Sequence, residues 1–248
     1  ALGTRRRLLR PRLGGGGGVS PPPAVTFEDG MQSLPLAMAE ELGDRVRLST
    51  AVRSLERGPS GWRIGLEDRV LEADTVVLTP PATVTSRLLA SSSPAAAAAI
   101  GSLTYNPLAV VHLDAETELR GLGFQVAFTE RDLSLRGVTF NNSLFGRPNL
   151  YTAYLGGARH PEVADMSRER LSELARREFR RCTGYEARVL AVEHERMPAW
   201  DRSWEAVEDL TLPQGLHLAA NWRSRPGIPG RLAEARRTAR RITGRAAA

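Results

Sequence analysis

The chain has 248 residues, 42% hydrophobic and 25% charged, an ordinary globular balance that can bury a sizeable core in one or two domains. Its formal charge is +6 and every basic residue is Arg, but 28 acidic residues are spread among them and no basic groove interleaved with aromatics appears, which argues against a general nucleic-acid role. The lone Cys182 excludes an internal disulfide, and no apolar run reaches membrane-spanning length.

Residues 1–23 read as a flexible Arg/Gly/Pro-rich segment passing into an extended one. The glycine run at 14–18 is not a dinucleotide fingerprint. Such a loop needs a strand before it, a helix after it and glycines at fixed spacing, whereas prolines follow here. Neither Met nor a charged-then-apolar leader opens the chain, which therefore reads as starting inside a longer protein.

From Thr26, FEDGMQSLPLAMAEELG predicts a short strand, a turn at Gly30 and a helix over 32–42. Leu34, Met38 and Leu42 supply its apolar line, and Gly43 stops it. Short β segments and turns follow. The turn at 58–61 returns through Trp62 and Ile64, and 76–78 is a fully apolar strand ended by Pro80 and Pro81. Residues 86–100 read as helix and connector. Strands are expected at 105–113, 121–129, 137–141 and 150–155.

The stretch 167–182 is the clearest helix, capped by Ser167, with Glu169 in its first turn. Leu171, Leu174, Ala175 and Phe179 form its buried face. Cys182 lies late in it as an incidental thiol. A strand at 187–195 leads to Trp200 and Trp204, aromatics that could line a cavity or pack in a core. His112, His160, His194 and His217 lack metal-ligand spacing, and His112 and His217 read as satisfied sheet residues. No nucleophile–base motif appears, so no catalytic residue and no metal site is assigned.

The chain is organised around residues 215–239, GLHLAANWRSRPGIPGRLAEARRTA. A strand at 216–220 enters a glycine- and proline-bearing turn at 221–230, then an amphipathic helix. Leu232, Ala235, Ala239 and Ile242 recur at a helical period as one apolar stripe, with Arg231, Arg237 and Arg241 largely on other faces. Such a unit aims unpaired N–H groups and a positive helix end at whatever occupies the turn, which suits an electron-rich ring carbonyl or a phosphate. An ordinary strand–turn–helix closing an α/β domain has the same pattern.

The run LAAN–W–GIPGRLAEARRTA resembles the C-terminal flavin-binding signature of the protoporphyrinogen oxidase and flavin amine oxidase superfamily. Upstream pieces match in the same order. These are Gly30–Met31, Val52 and GW…AD.VVL.PP, then YNPLAVVHL, GLGFQVAFT and the Tyr154–Gly157 region, and finally RMPAWDRSW. The resemblance covers residues 24–243. Three departures stand out: TFNNSLFGRPN is shortened, Ala220 replaces a glycine, and Arg236 sits where the family has a small pair.

The resemblance implies a mixed α/β (α+β) chain, a partial FAD-linked oxidoreductase fold. Residues 24–86 would be part of the FAD domain with connecting strands, 87–195 a mixed-sheet substrate domain, and 196–248 the C-terminal flavin-binding strand–turn–helix. It places Val52 beside adenine and Asn221, Gly227, Ile228 and Pro229 at the flavin end. The implied activity is oxidation of a porphyrinogen in heme biosynthesis, with hydride transfer to FAD and oxygen as acceptor. The partner is then a tetrapyrrole-like small molecule, and the location cytoplasmic with at most peripheral, salt-sensitive attachment to a membrane. No strand–GxGxxG–helix unit is found, so the pyrophosphate cradle of a dinucleotide would come from elsewhere. Another amine oxidase or carotenoid desaturase-like enzyme, a non-catalytic module binding no flavin, and an Arg-rich anion- or membrane-surface binder remain alternatives.

Overall fold

The computed structural model describes residues 8–9, 25–224 and 226–244. The strands are β1 (Leu8–Leu9), β2 (Thr26–Phe27), β3 (Ser54–Arg57), β4 (Trp62–Gly65), β5 (Val70–Ala73) and β6 (Val76–Leu78). They continue as β7 (Tyr105–Asp114), β8 (Gly123–Gln125), β9 (Leu135–Phe140), β10 (Leu150–Gly156), β11 (Arg188–Pro198) and β12 (Leu216–Leu218). The α-helices are α1 (Ser33–Leu42), α2 (Ala82–Leu89), α3 (Pro94–Gly101), α4 (Asn141–Phe145), α5 (Arg168–Thr183) and α6 (Ile228–Thr243). The fold is mixed α/β, as the sequence implied.

The chain forms two compact units, Ala1–Val46 with Asn106–Met197, and Arg47–Tyr105 with Pro198–Ala248. The first is built on a five-stranded sheet ordered β11-β7-β10-β9-β8, in which β10 runs antiparallel to both β7 and β9. Along β7, Ala109, Val111 and Leu113 are fully buried while their neighbours are less so, the two-residue period of a strand with one face on a core. Helix α5 contributes Leu171, Leu174, Ala175 and Phe179 to that core. Ser167 Oγ accepts from the Arg170 N–H at 3.2 Å, the cap expected from the sequence. The Glu178 carboxylate, buried among these residues, accepts from the Leu135 N–H at 2.7 Å and ties helix to sheet.

The second unit combines the antiparallel sheet β3-β4-β5 with a two-stranded parallel sheet of β6 and β12. Its core holds Leu55, Trp62, Leu89, Ile100, Leu218 and Trp222. Helices α2 and α3 are locked by Ser86 Oγ donating to the Ala97 carbonyl at 2.7 Å. The Tyr105 hydroxyl accepts from the Ala82 N–H at 3.1 Å and completes the start of α2.

These units are not the linear blocks expected from the sequence. Residues 87–104 belong to the unit of the parallel sheet through α2 and α3, and Tyr105, the first residue of β7, bonds the start of α2. Residues 25–46 belong with that sheet's unit, where the Arg147 guanidinium donates to the Phe27 carbonyl at 2.9 Å and the Glu28 carbonyl at 3.2 Å. The flexible segment expected over 1–23 lies outside the described residues except for Leu8–Leu9, which pair with β2. The strand expected over 121–129 shrinks to β8, whose first residue Gly123 (φ +133) pairs with Thr139. No helix among the described residues is long and apolar enough to cross a membrane.

Candidate functional site

Strand β12 is placed by its parallel partner. Leu216, His217 and Leu218 lie opposite Val76, Val77 and Leu78, the Val76 N–H bonds the Gly215 carbonyl at 2.8 Å, and the Ala219 N–H bonds the Leu78 carbonyl at 3.0 Å. The chain then turns, with Ala220 and Trp222 buried. Trp222 is the anchor. Its indole Nε1 donates to the Pro80 carbonyl at 3.2 Å, while its own carbonyl accepts from Trp204 Nε1 at 3.0 Å. The Arg223 guanidinium donates to the Val207 carbonyl at 2.7 Å. The first part of the turn is thus fixed by long-range bonds at Trp222 and Arg223.

Within this turn two buried polar atoms, Asn221 Oδ1 and Ser224 Oγ, have no hydrogen-bond partner. Buried polar groups are almost always paired, and an unpaired one costs about 1–3 kcal/mol. Immediately beyond lies the N-terminus of α6, whose N-cap residue is Gly227 at φ +88°, ψ +163°, with no side chain capping it. The N–H groups of Ile228 and Gly230 are therefore first-turn donors, while Pro229 contributes none. Asn221, Ser224 and an uncapped helix start follow one another along the chain and offer donors and acceptors of the kind that the heteroatom edge of a planar ring takes. On that observation the residues fit a flavin.

The sequence placed Ile228 and Pro229 in the turn, but the helix begins at Ile228, so both stand in its first turn. A Cβ on Gly227 would meet nothing closer than Pro229 Cδ at 3.8 Å, so conformation, not space within this chain, requires glycine. Val52 comes from another stretch of the same unit. It lies in an irregular segment two residues before β3 and is 43% exposed, so it is no buried strand residue. Ser224 and the Trp222–Pro80 anchor were not singled out from the sequence. A small hydroxyl and a tryptophan carry no signal of this kind until the fold brings β6 beside β12. Trp204 packs against the core and holds the Trp222 carbonyl instead of opening onto a cavity.

The apolar stripe of α6 lies on a helix, as the period implied, but it is exposed. Leu232 and Ile242 are 40% and 38% exposed, Ala235 and Ala239 are exposed, and the residue the helix buries is Thr238. Glu234 is largely covered and takes ion pairs from Arg237 and, at 3.3 Å, from Arg241.

The model of the flavin containing amine oxidoreductase family matches residues 2–243, nearly the whole chain. The chain belongs to this family. It is 29% identical over 177 residues to protoporphyrinogen oxidase 1, chloroplastic, of Spinacia oleracea, covering 63% of this chain and 31% of that protein. Among solved structures, it superposes on an Exiguobacterium sp. 255-15 protein described as a protoporphyrinogen oxidase with a TM-score of 0.72 and 21% identity, covering 88% of this chain and 52% of that one. A putrescine oxidase variant gives a TM-score of 0.70 at 18% identity, covering 90% and 54%. The flavin amine oxidoreductase chain described here thus spans about a third of its curated relatives' length and about half that of its structural neighbours. At these structural identities the likeness establishes the fold, and one fold serves several substrates.

Proposed function

We propose that this chain supplies the C-terminal, ring-contacting part of an FAD-dependent oxidoreductase of protoporphyrinogen oxidase type, oxidising a porphyrinogen in heme biosynthesis with oxygen as final acceptor. The pair of orphaned atoms, Asn221 Oδ1 and Ser224 Oγ, beside the uncapped start of α6 carries the flavin part of this reading. The substrate class rests on the curated relatives, which are named protoporphyrinogen oxidases from plants and mammals.

When bound, FAD supplies the redox chemistry as a two-electron hydride acceptor. The chain's own residues bind and orient. Ser224 Oγ can both donate and accept, and Asn221 Oδ1 accepts a ring N–H. The first turn of α6 presents N–H donors and a positive end that favours negative charge at the ring's carbonyl edge. Val52 is assigned to the adenine end through its main chain. Trp222 excludes water beneath the turn and fixes it, so these groups keep their geometry without reorganising. The reading leaves the pyrophosphate to a dinucleotide-binding unit outside these elements, and it places the protein in the cytoplasm with at most salt-sensitive attachment to a membrane.

The test is anaerobic reduction of the flavoprotein assembled with such a unit, followed by the loss of visible flavin absorbance. Protoporphyrinogen should bleach the flavin and an amine such as putrescine should not. Bleaching by the amine alone would assign the chain to the amine-oxidising branch.

A further inference from the structure

The five-stranded sheet turns one face of β7 and β10 into the core and leaves Val110, His112 and Tyr154 half-buried on the other. Residues directly opposite one another in a ladder share a face. His112, Thr152 and Thr139, register partners across β7, β10 and β9, therefore stand in one row on this second face. Asn141, the first residue of α4, follows Thr139 by two. Its Nδ2 donates to Thr152 Oγ1 at 2.8 Å, and Thr152 Oγ1 lies 3.2 Å from His112 Nδ1.

These two bonds fix where the protons lie. Thr152 is buried, and because Asn141 donates to it, the described acceptor for its own hydroxyl proton is His112 Nδ1. A ring that accepts at Nδ1 carries its proton on Nε2, and an imidazolium carries one there as well. Nε2 has no described partner and is not among the sealed polar atoms, so this donor is open. Asp114, next on the same face of β7, is already held by Arg188 at 2.7 Å. The sequence reading of His112 as a satisfied sheet residue thus holds for one nitrogen only. One strand further on, Thr139 lines a cavity of about 220 Å³ together with Tyr154 and Gln125.

We infer that His112 is a specificity-determining residue whose Nε2–H, oriented by Thr152 and Asn141, donates to a carboxylate of the substrate. The inference rests on the proposed reading, because a porphyrinogen carries carboxylates. A cationic amine offers no acceptor to this nitrogen. The bond to an ionised oxygen is charge-assisted, about twice as strong as a neutral one.

Two measurements on the 248-residue chain test this. Two-bond 1H–15N NMR of the histidine rings should place the proton of neutral His112 on Nε2. A proton on Nδ1 instead overturns the inference, whichever substrate the flavoprotein oxidises. Fluorescence titration with coproporphyrin, a carboxylate-bearing porphyrin, should saturate with a Kd below about 100 μM. His112→Phe should weaken this binding about tenfold, whereas His112→Gln, whose amide N–H restores a donor, should stay within about threefold. Both variants should keep the circular dichroism spectrum of the parent chain, and if one fails to fold the NMR result still decides. Absence of saturable binding, a folded His112→Phe chain that binds like the parent, or a folded His112→Gln chain that loses as much as His112→Phe overturns the inference. Flavin bleaching by an amine alone would defeat the substrate reading. Bleaching by protoporphyrinogen that persists without any His112 effect on binding would defeat this inference alone.

Discussion

Gly227 holds a backbone conformation, φ +88° and ψ +163°, that an L side chain adopts only under strain of about 1–3 kcal/mol. Because the space around its missing Cβ is open in this chain, Gly227→Val should leave the chain folded, with a modest loss of stability. In the flavoprotein assembled with its dinucleotide-binding unit, the same change should lower flavin content and slow reduction by substrate. Unchanged flavin content in a folded variant would take the turn out of the site. Asn221 offers a sharper separation of binding from folding. Its Oδ1 is buried and unpaired, so Asn221→Ala removes a desolvated atom that the chain alone does not use. Thermal unfolding of the isolated chain should show no loss beyond about 1 kcal/mol, whereas flavin content of the assembled protein should fall. A large destabilisation without effect on flavin would make Asn221 structural. Cys182 is an exposed residue, yet burial of its sulfur first, and the Glu178 carboxylate second, push its thiol above the ordinary range. It holds its proton at neutral pH, so alkylation should be slower than that of free cysteine and accelerate as pH rises through the raised value. Faster reaction at neutral pH would contradict this.

At the scale of elements, α6 teaches most. Its apolar period was legible in the sequence, as were α1, α5, β6, β7 and the strand–turn–helix order around the turn. Periodicity says which residues share a face but not what covers that face. Leu232, Ala235, Ala239 and Ile242 do lie on one stripe, and that stripe is exposed while Thr238 is buried. Helix α1 behaves alike, with Leu36, Met38 and Leu42 all more than 40% exposed. Only long-range pairing could place Trp222 against Pro80 or leave Ser224 Oγ without a partner. These facts depend on residues roughly 140 apart in the chain and carry no local signature. One consequence is measurable. Leu232→Glu and Ile242→Glu should each shift the unfolding free energy of this chain by no more than about 0.5 kcal/mol, as surface changes do. Truncating Trp222 to Ala should cost about 3–5 kcal/mol, because a fully buried indole and its bond to the Pro80 carbonyl go with it. Equal losses at both kinds of site would refute the division between exposed stripe and buried anchor.

At the scale of the molecule, the family assignment covers almost the entire chain, yet the chain spans only part of each relative it matches. In the unit containing β6 and β12 these two strands pair in parallel, and Val77 of β6 is 39% exposed. The account therefore divides the cofactor seat between this chain and a dinucleotide-binding unit of the same family. Binding that requires both parts differs in affinity from binding to one by the whole contribution of the pyrophosphate contacts. The most direct measurement is isothermal titration of FAD into the 248-residue chain alone and into the same chain assembled with a dinucleotide-binding unit. The account predicts binding weaker than about 10 μM for the chain alone and sub-micromolar binding for the assembly. Sub-micromolar binding by the chain alone, or no saturable binding by a folded assembly, would contradict it.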